Sequence, residues 1–230
     1  MKTIGLVGGT GWISSAEYYR IINEETNRRC GGLAFSRCIL YSVNYGEIDA
    51  FNKNNDREGV YSLILDATLK LAGSGAECIV LCANTLHQFH ERLEKETYVP
   101  LIHIADAAGW EIRRRNMSIV GLLGTKQTME MDFYKSRLKE RNIDVLIPDE
   151  SDREFIQRTI SDELLMGVFS DASRNRFVEI CQELYGRGAE GIVLGCTEIP
   201  LLLRQDDISI PIINTLTLHA LAAVDFALKD

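Results

Sequence analysis

Proline, histidine and positive charge are all in short supply: the 230 residues hold 4 Pro, 4 His and 25 Lys+Arg against 33 Asp+Glu, a net charge of −8. With 46% hydrophobic residues, so little proline argues against extended disorder and for packed α/β structure. The deficit of positive charge excludes nucleic acid as the main partner, because phosphate binding needs a basic face. The one basic cluster, Arg113-Arg114-Arg115, reads as a solvated helix C-terminus that complements the helix dipole. No apolar run reaches the roughly 18–20 residues of a membrane span, so no membrane partner is expected. Met1-Lys2-Thr3-Ile4-Gly5 leads directly into a strand and does not read as a signal peptide. The six cysteines (Cys30, Cys38, Cys78, Cys82, Cys181, Cys196) form no Cys-x-x-Cys pair and read as reduced thiols, which makes the cytoplasm the expected compartment.

Cofactor signatures are also missing. Gly5, Gly8, Gly9 and Gly11 lack the G-x-G-x-x-G spacing, no acidic residue ends the second strand, and there is no Gly-Lys-Ser/Thr. His87 and His90 have helical spacing but no second ligand cluster, so they read as surface imidazoles beside a site, with no metal expected. His103 and His219 read as satisfied, partly buried imidazoles, and Cys30, Cys38, Cys78 and Cys181 as small apolar fillers.

What the chain does contain is a repeated phrase. Gly-Ala-Glu-Gly-Ile-Val-Leu-Gly-Cys-Thr-Glu begins at Gly188, and Gly-Ala-Glu-Cys-Ile-Val-Leu-Cys-Ala-Asn-Thr begins at Gly75. Each reads as a buried strand ending in a tight turn, and Pro200 suits the first turn of a following helix. Residues 118–125 likewise echo residues 3–10, and Ile210-Pro211-Ile212-Ile213 echoes Val99-Pro100-Leu101-Ile102. The separations are 116 residues from Gly5 to Gly121, 113 from Gly75 to Gly188 and 111 from Pro100 to Pro211. Three ordered matches at near-constant offset indicate an internal duplication.

Strands are expected at residues 3–8, 38–43, 78–81, 101–104, 118–125, 144–147, 188–196 and 210–213. Helices are expected after Ser14/Ser15 and over residues 60–71, 86–96, 106–115, 132–140, 154–165 and 173–185, with residues 44–58 as a long polar loop that has room for a short helix. Strands alternating with helices specify an α/β fold, a parallel sheet in each half. Two similar halves suggest Rossmann-like domains related by a pseudo-two-fold. Ligands of open α/β sheets bind at strand carboxyl ends, which here are Gly9-Thr10, Ala83-Asn84-Thr85, residues 125–128 and Cys196-Thr197-Glu198. Among the cysteines Cys196 stands out: backbone N–H groups and a helix start at a strand end favour a thiolate.

Over essentially its whole length the chain resembles the aspartate/glutamate racemase family. The resemblance rests on Ile4–Thr10 (IGLVGGT), Ser42-Val43-Asn44, Ala83-Asn84-Thr85-Leu86-His87, His103-Ile104-Ala105-Asp106, Gly121–Met129 (GLLGTKQTM), Asp132-Phe133-Tyr134 and Gly195–Leu201 (GCTEIPL). It implies two α/β domains, residues 1–98 with 207–230 and residues 99–206, and an active site at their interface. It also implies proton removal and return at Cα of an amino acid without metal, pyridoxal phosphate or nicotinamide. One thiolate would remove the α-proton and a second thiol return it from the opposite face. By the same resemblance Asn84, Thr85 and Thr197 contact the α-carboxylate, Thr10, Thr125 and Thr128 line the remaining wall, and Glu198 binds the ammonium or tunes Cys196.

One position departs from the pattern. Two-cysteine members of the family carry the first catalytic Cys immediately before Asn-Thr, where this chain has Ala83, and the thiol stands one residue earlier at Cys82. The internal repeat agrees, setting Ala83 opposite Cys196. Neighbouring side chains on a strand point to opposite faces. The primary expectation is a cofactor-independent racemase or epimerase acting on aspartate or glutamate, with Cys196 and either Cys82 or a water near Ala83 as the acid/base pair. The alternatives are a single-cysteine, one-sided enzyme (decarboxylase-like or stereospecific proton exchange) and a catalytically silent amino-acid-binding protein. Lys53, Arg57, Lys126 and Arg158 are candidate partners for a substrate side-chain carboxylate. A homodimer is a plausible assembly for such a fold.

Overall fold

The apolar runs become buried parallel strands in a computed structural model that describes residues 1–229. In the first half β1 (Ile4–Gly8), β2 (Cys38–Ser42), β3 (Cys78–Leu81) and β4 (Leu101–Ile102) form a sheet of order β2-β1-β3-β4. In the second, β5 (Ile119–Gly124), β6 (Asp144–Leu146), β7 (Gly191–Gly195) and β8 (Ile212–Asn214) repeat that order as β6-β5-β7-β8. Every pairing among the described residues is parallel, which fits strands that are apolar rather than alternating. Two four-stranded parallel sheets flanked by helices make this the expected α/β fold.

The repeated Gly-Ala-Glu phrase has a structural cause. Glu77 accepts a hydrogen bond from the Thr3 backbone N–H at 2.7 Å, and Glu190 accepts from Ser118 at 2.5 Å and Ile119 at 3.0 Å. Each glutamate thus ties the entry of a third strand to the first strand of its own sheet. The alanines after the glycines, Ala76 and Ala189, are buried in their respective cores.

The helices of the first half are α1 (Trp12–Cys30), α2 (Tyr45–Lys53), α3 (Arg57–Gly73) and α4 (His90–Glu96), the last preceded by a 3-10 turn over Thr85–Phe89. Those that follow are α5 (Ile104–Arg114), α6 (Lys126–Glu130), α7 (Asp132–Lys139), α8 (Glu150–Asp162), α9 (Asp171–Gly186), α10 (Ile199–Leu202) and α11 (Thr215–Leu228). Two expectations need correcting. Residues 44–58 are mostly helical, going beyond the short helix allowed within a loop, because Asn44 and Asp56 each cap a helix. Asn44 Oδ1 accepts from Gly46 N at 3.0 Å to start α2, and Asp56 Oδ1 accepts from Gly59 N at 2.8 Å to start α3. Ser14 and Ser15 do not cap α1, which begins after Gly11. Both hydroxyls donate back to the Gly11 carbonyl from inside the first turn.

The chain divides into two compact units, one of Met1–His103 with the stretch from His219 onward, the other Ile104–Leu218. The division falls later than residues 98/99 and 206/207. β4 pairs with β3 through Ile79↔Leu101, which holds it in the first unit, and β8 pairs with β7 through Ile192↔Ile212, which holds it in the second. The chain returns to the first unit only within α11. Each unit has its own core, centred on Val7, Ile64, Ile79 and Leu81 in the first and on Leu122, Phe177, Ile192 and Val193 in the second.

Gly9 fixes the turn that presents Thr10. Its φ is +92°, and a Cβ there would lie 2.1 Å from the Val43 carbonyl oxygen and 2.6 Å from the Val43 nitrogen. Both contacts are backbone, so nothing flexible can yield. Gly9→Ala is expected to lose at least about 2–3 kcal/mol, read as a lower urea midpoint at unchanged slope. Gly31→Ala, at φ +73° with nothing within 4 Å of the added Cβ, should lose clearly less. Equal losses would contradict the steric assignment.

Candidate functional site

In the second unit the ends of β5 and β7 lie side by side, with Gly124 opposite Gly195. A Cβ on Gly195 would lie 2.9 Å from the Leu123 carbonyl oxygen, so glycine is what lets the two strand ends close together just before Cys196. Thr125 caps α6 by accepting from Thr128 N at 3.2 Å, and the two hydroxyls are 3.0 Å apart, with Thr128 fully buried. The strand ends therefore gather Thr125, Thr128, Cys196, Thr197 and Glu198 as the repeat implied.

The central geometry is a buried thiol–carboxylate pair. Cys196 Sγ donates to Glu198 Oε2 at 3.1 Å, and Thr197 Oγ1 donates to the same oxygen at 3.0 Å. All three residues are buried. Burial pushes the Cys196 thiol well above its ordinary value, and the Glu198 carboxylate pushes it further; the N–H groups of Glu198 and Ile199 oppose this but do not prevail. The expectation of a resting thiolate is therefore corrected. The N–H groups that suggested it are present, but α10 has only four residues and carries little dipole. Desolvation of the charged form is the larger effect.

In the first unit the equivalent strand end has no such pair. Cys82 is fully buried, its Sγ lies 3.8 Å from the Val80 carbonyl of its own strand, and burial raises it with nothing opposing. Ala83 packs against the first core. Asn84 is buried and Thr85 half-buried at the start of the 3-10 turn. Thr10 Oγ1 is a buried hydroxyl with no hydrogen-bond partner, just beyond the Gly9 turn. The first unit therefore offers polar groups at its strand ends, but its thiol faces inward.

The histidines differ most from expectation. His87 and His90 are not at the surface; with His103 and His219 they form one buried group in the first unit. Among the described residues no three His, Cys, Asp or Glu side chains are placed to hold a metal ion. Cys78 and Cys181 are buried fillers as expected, both pushed up to about 12 by burial, whereas Cys30 is exposed and fills nothing. Of the basic candidates, Lys53 pairs with Asp49, Lys126 with Glu154, and Arg57 donates to Gln88 at 2.9 Å beside the turn after β3. Arg158 is exposed on α8. The Glu198 contact was visible in sequence only as a carboxylate two residues beyond a cysteine. Nothing in the sequence showed that four histidines from separate segments would converge.

Because Glu198 raises the Cys196 thiol, Glu198→Gln should lower it and leave more thiolate at neutral pH. Alkylation of Cys196 by iodoacetamide, followed residue by residue by mass spectrometry, is expected to speed up roughly three- to tenfold at pH 7.5. A slower or unchanged rate would show that Glu198 does not hold the proton on sulfur.

The model of the Asp/Glu/Hydantoin racemase family matches residues 7–223. The crystal structure of a Yersinia pestis protein assigned as an Asp/Glu racemase is 41% identical, with 100% of each chain covered and a TM-score of 0.91. That of an aspartate racemase homologue from Pyrococcus horikoshii is 33% identical, again with 100% of each chain covered and a TM-score of 0.85. The broad specificity amino-acid racemase RacX of Bacillus subtilis is 26% identical over 163 residues, covering 70% of this chain and 69% of its own. Motif set, duplicated parallel sheets and whole-length matches agree, and the chain belongs to the Asp/Glu/Hydantoin racemase family.

Proposed function

We propose that this protein is an amino-acid racemase of the aspartate/glutamate type in which Cys196 moves the Cα proton. The observation that carries this reading is the buried Cys196–Glu198 pair at the end of β7, 3.1 Å from sulfur to oxygen. The Cα hydrogen of an amino acid is a very weak acid, and its removal demands a strong base. A thiol raised by burial is a weak acid at rest, so its thiolate is a strong base once formed. At rest the Glu198 carboxylate keeps the proton on Sγ; once a bound substrate's ammonium group offsets that carboxylate, the proton can pass from Sγ to Glu198 Oε2, which moves one negative charge from oxygen to sulfur without adding a second to the site. The same ammonium group would favour that thiolate further.

In the forward step the Cα–H bond breaks, the proton goes to Sγ, and the electron pair passes into the α-carboxylate as an enediolate. Thr197, next to the thiol, is assigned to the α-carboxylate, and Asn84 and Thr85 at the corresponding strand end of the first unit are assigned the same role. Donors aimed at that developing charge are the main source of stabilisation available to such a site. Thr10, Thr125 and Thr128 are assigned to the surrounding wall. Return of a proton to the opposite face falls to Cys82 or to a water near Ala83.

A second reading has its own support. Cys82 is fully buried with its sulfur toward the Val80 carbonyl, and Ala83 carries no proton. An enzyme with Cys196 alone would exchange or deliver the proton on one face. Incubation of L- and D-aspartate, L- and D-glutamate and a panel of neutral amino acids in heavy water, followed by NMR at Cα, separates the readings. Racemisation gives deuterium in both enantiomers with interconversion. The one-sided reading gives deuterium in a single enantiomer without inversion, lost in Cys196→Ala and kept in Cys82→Ala. No exchange with any amino acid, together with saturable calorimetric binding of one, would leave a binding protein and overturn both.

A further inference from the structure

All four histidines of the chain meet in one buried group in the first unit. They arrive from separate segments: His87 from the 3-10 turn after β3, His90 from the start of α4, His103 from the residue after β4, and His219 from α11. Their ring centroids are 4.7 Å apart for His87 and His103, 5.3 Å for His87 and His219, and 4.6 Å for His90 and His103. Such convergence is costly to maintain if the rings charge, since like charges would be buried together.

The hydrogen bonds fix the tautomer of neutral His219. His219 Nε2 lies 2.7 Å from the Ile102 carbonyl, which only accepts, so Nε2 carries the hydrogen and Nδ1 accepts from the buried Tyr18 hydroxyl at 2.9 Å. His87 Nδ1 lies 3.0 Å from the Ala83 carbonyl, and the Ile102 carbonyl also faces its ring, so the tautomer with its hydrogen on Nδ1 is the one that donates to Ala83. His90 Nε2 donates to the Leu101 carbonyl at 3.3 Å. Each of these three rings thus lies against a backbone carbonyl. The carbonyl that His87 holds belongs to Ala83, directly before Asn84 and Thr85.

We propose that His87 is a positioning residue: its bond to the Ala83 carbonyl, backed by His219, His90, His103 and Tyr18, holds the Ala83-Asn84-Thr85 turn in the form that receives the amino acid. This rests on the function proposed above, in which Asn84 and Thr85 meet the α-carboxylate. The groups packed around His87 keep it neutral. The influences on it are burial and the imidazoles of His219 and His90, which disfavour its charged form, and the carbonyls of Ala83 and Ile102, which favour it; Arg57 of α3 stands 5.8 Å from the Phe89 ring in the same 3-10 turn. Tyr18 of α1, through His219, and His103 after β4 complete the group. Burial and the two imidazoles hold His87 well below its ordinary value, and burial takes His219 from 6.5 to about 4. The folded cluster refuses protons that free imidazoles would accept below pH 6.5, so the turn stays held at neutral pH and is released only as acid charges the rings.

The test compares His87→Leu, which removes the donor, with His87→Asn, whose amide nitrogen can stand where Nδ1 stands. In the full chain, backbone amide exchange by mass spectrometry over residues 83–86 is expected to rise at least about tenfold in His87→Leu and to return toward wild type in His87→Asn. For the amino acid that the wild type exchanges, KM should rise about tenfold in His87→Leu with kcat changed less than twofold, again rescued by Asn. The wild-type affinity should be flat above pH 6.5 and fall on acidification, with the fall lost in His87→Asn. If His87→Leu does not fold, Tyr18→Phe, which removes the donor to His219, gives the same readouts in smaller measure. Unchanged amide exchange over 83–86 in a folded variant, or an acid limb that persists in His87→Asn, would overturn the positioning role. Amide exchange is read without substrate, so absence of any exchange at Cα in the wild type would defeat the proposed function and leave this test standing.

Discussion

A carboxylate held 3.1 Å from a buried thiol is the constraint around which the strand ends of the second unit are built. Either group alone would be poorly suited. A buried thiol without a neighbouring acceptor has nowhere to send its proton, and a buried carboxylate without donors would bear the full cost of desolvation. Together, with the Thr197 hydroxyl on the same oxygen, they form a small hydrogen-bonded unit in which each buried polar group has a partner. The surrounding architecture serves this arrangement. Gly195 and Gly124 let two strand ends close, Thr128 packs beside them, and the single turn of α10 begins immediately after.

The duplication gives the first unit the same strand order and the same glutamate ties, yet a different strand end. Where the second unit has a thiol facing a carboxylate, the first has Ala83 with the neighbouring Cys82 turned inward. A one-residue offset on a strand moves a side chain to the opposite face, so the two cysteines are not equivalent despite their nearly equal positions in the repeat. The first unit has instead placed its polarity beneath the turn, in four buried histidines, three of which bond backbone carbonyls. One copy places a thiol and a carboxylate side by side at its strand end; the other places imidazoles against backbone carbonyls.

Much of this was legible in the sequence because it depends on local pattern. β3 at Cys78–Leu81, the start of β7 in an apolar run and Pro200 in the first turn of α10 follow from short apolar segments bounded by turn residues. The clustering of Thr125, Thr128, Cys196 and Glu198 followed from the rule that parallel sheets present ligands at strand carboxyl ends. What could not be read required long-range contact. Asn44 and Asp56 looked like loop residues because a cap and a loop have the same composition, and only the hydrogen bond distinguishes them. The resting state of Cys196 depended on burial outweighing nearby N–H groups, a balance that sequence does not weigh. His87 and His219 are 132 residues apart in the chain and touch only because α11 carries the chain back into the first unit.

The most direct measurement is chiral chromatography of L-aspartate and L-glutamate incubated with wild type and with Cys196→Ser. If Cys196 is the proton-transferring group, the D-enantiomer of at least one substrate accumulates with wild type, and its rate falls by about a hundredfold or more in the serine variant, the usual worth of a positioned acid/base. Equal rates in the two proteins would contradict the assignment of Cys196.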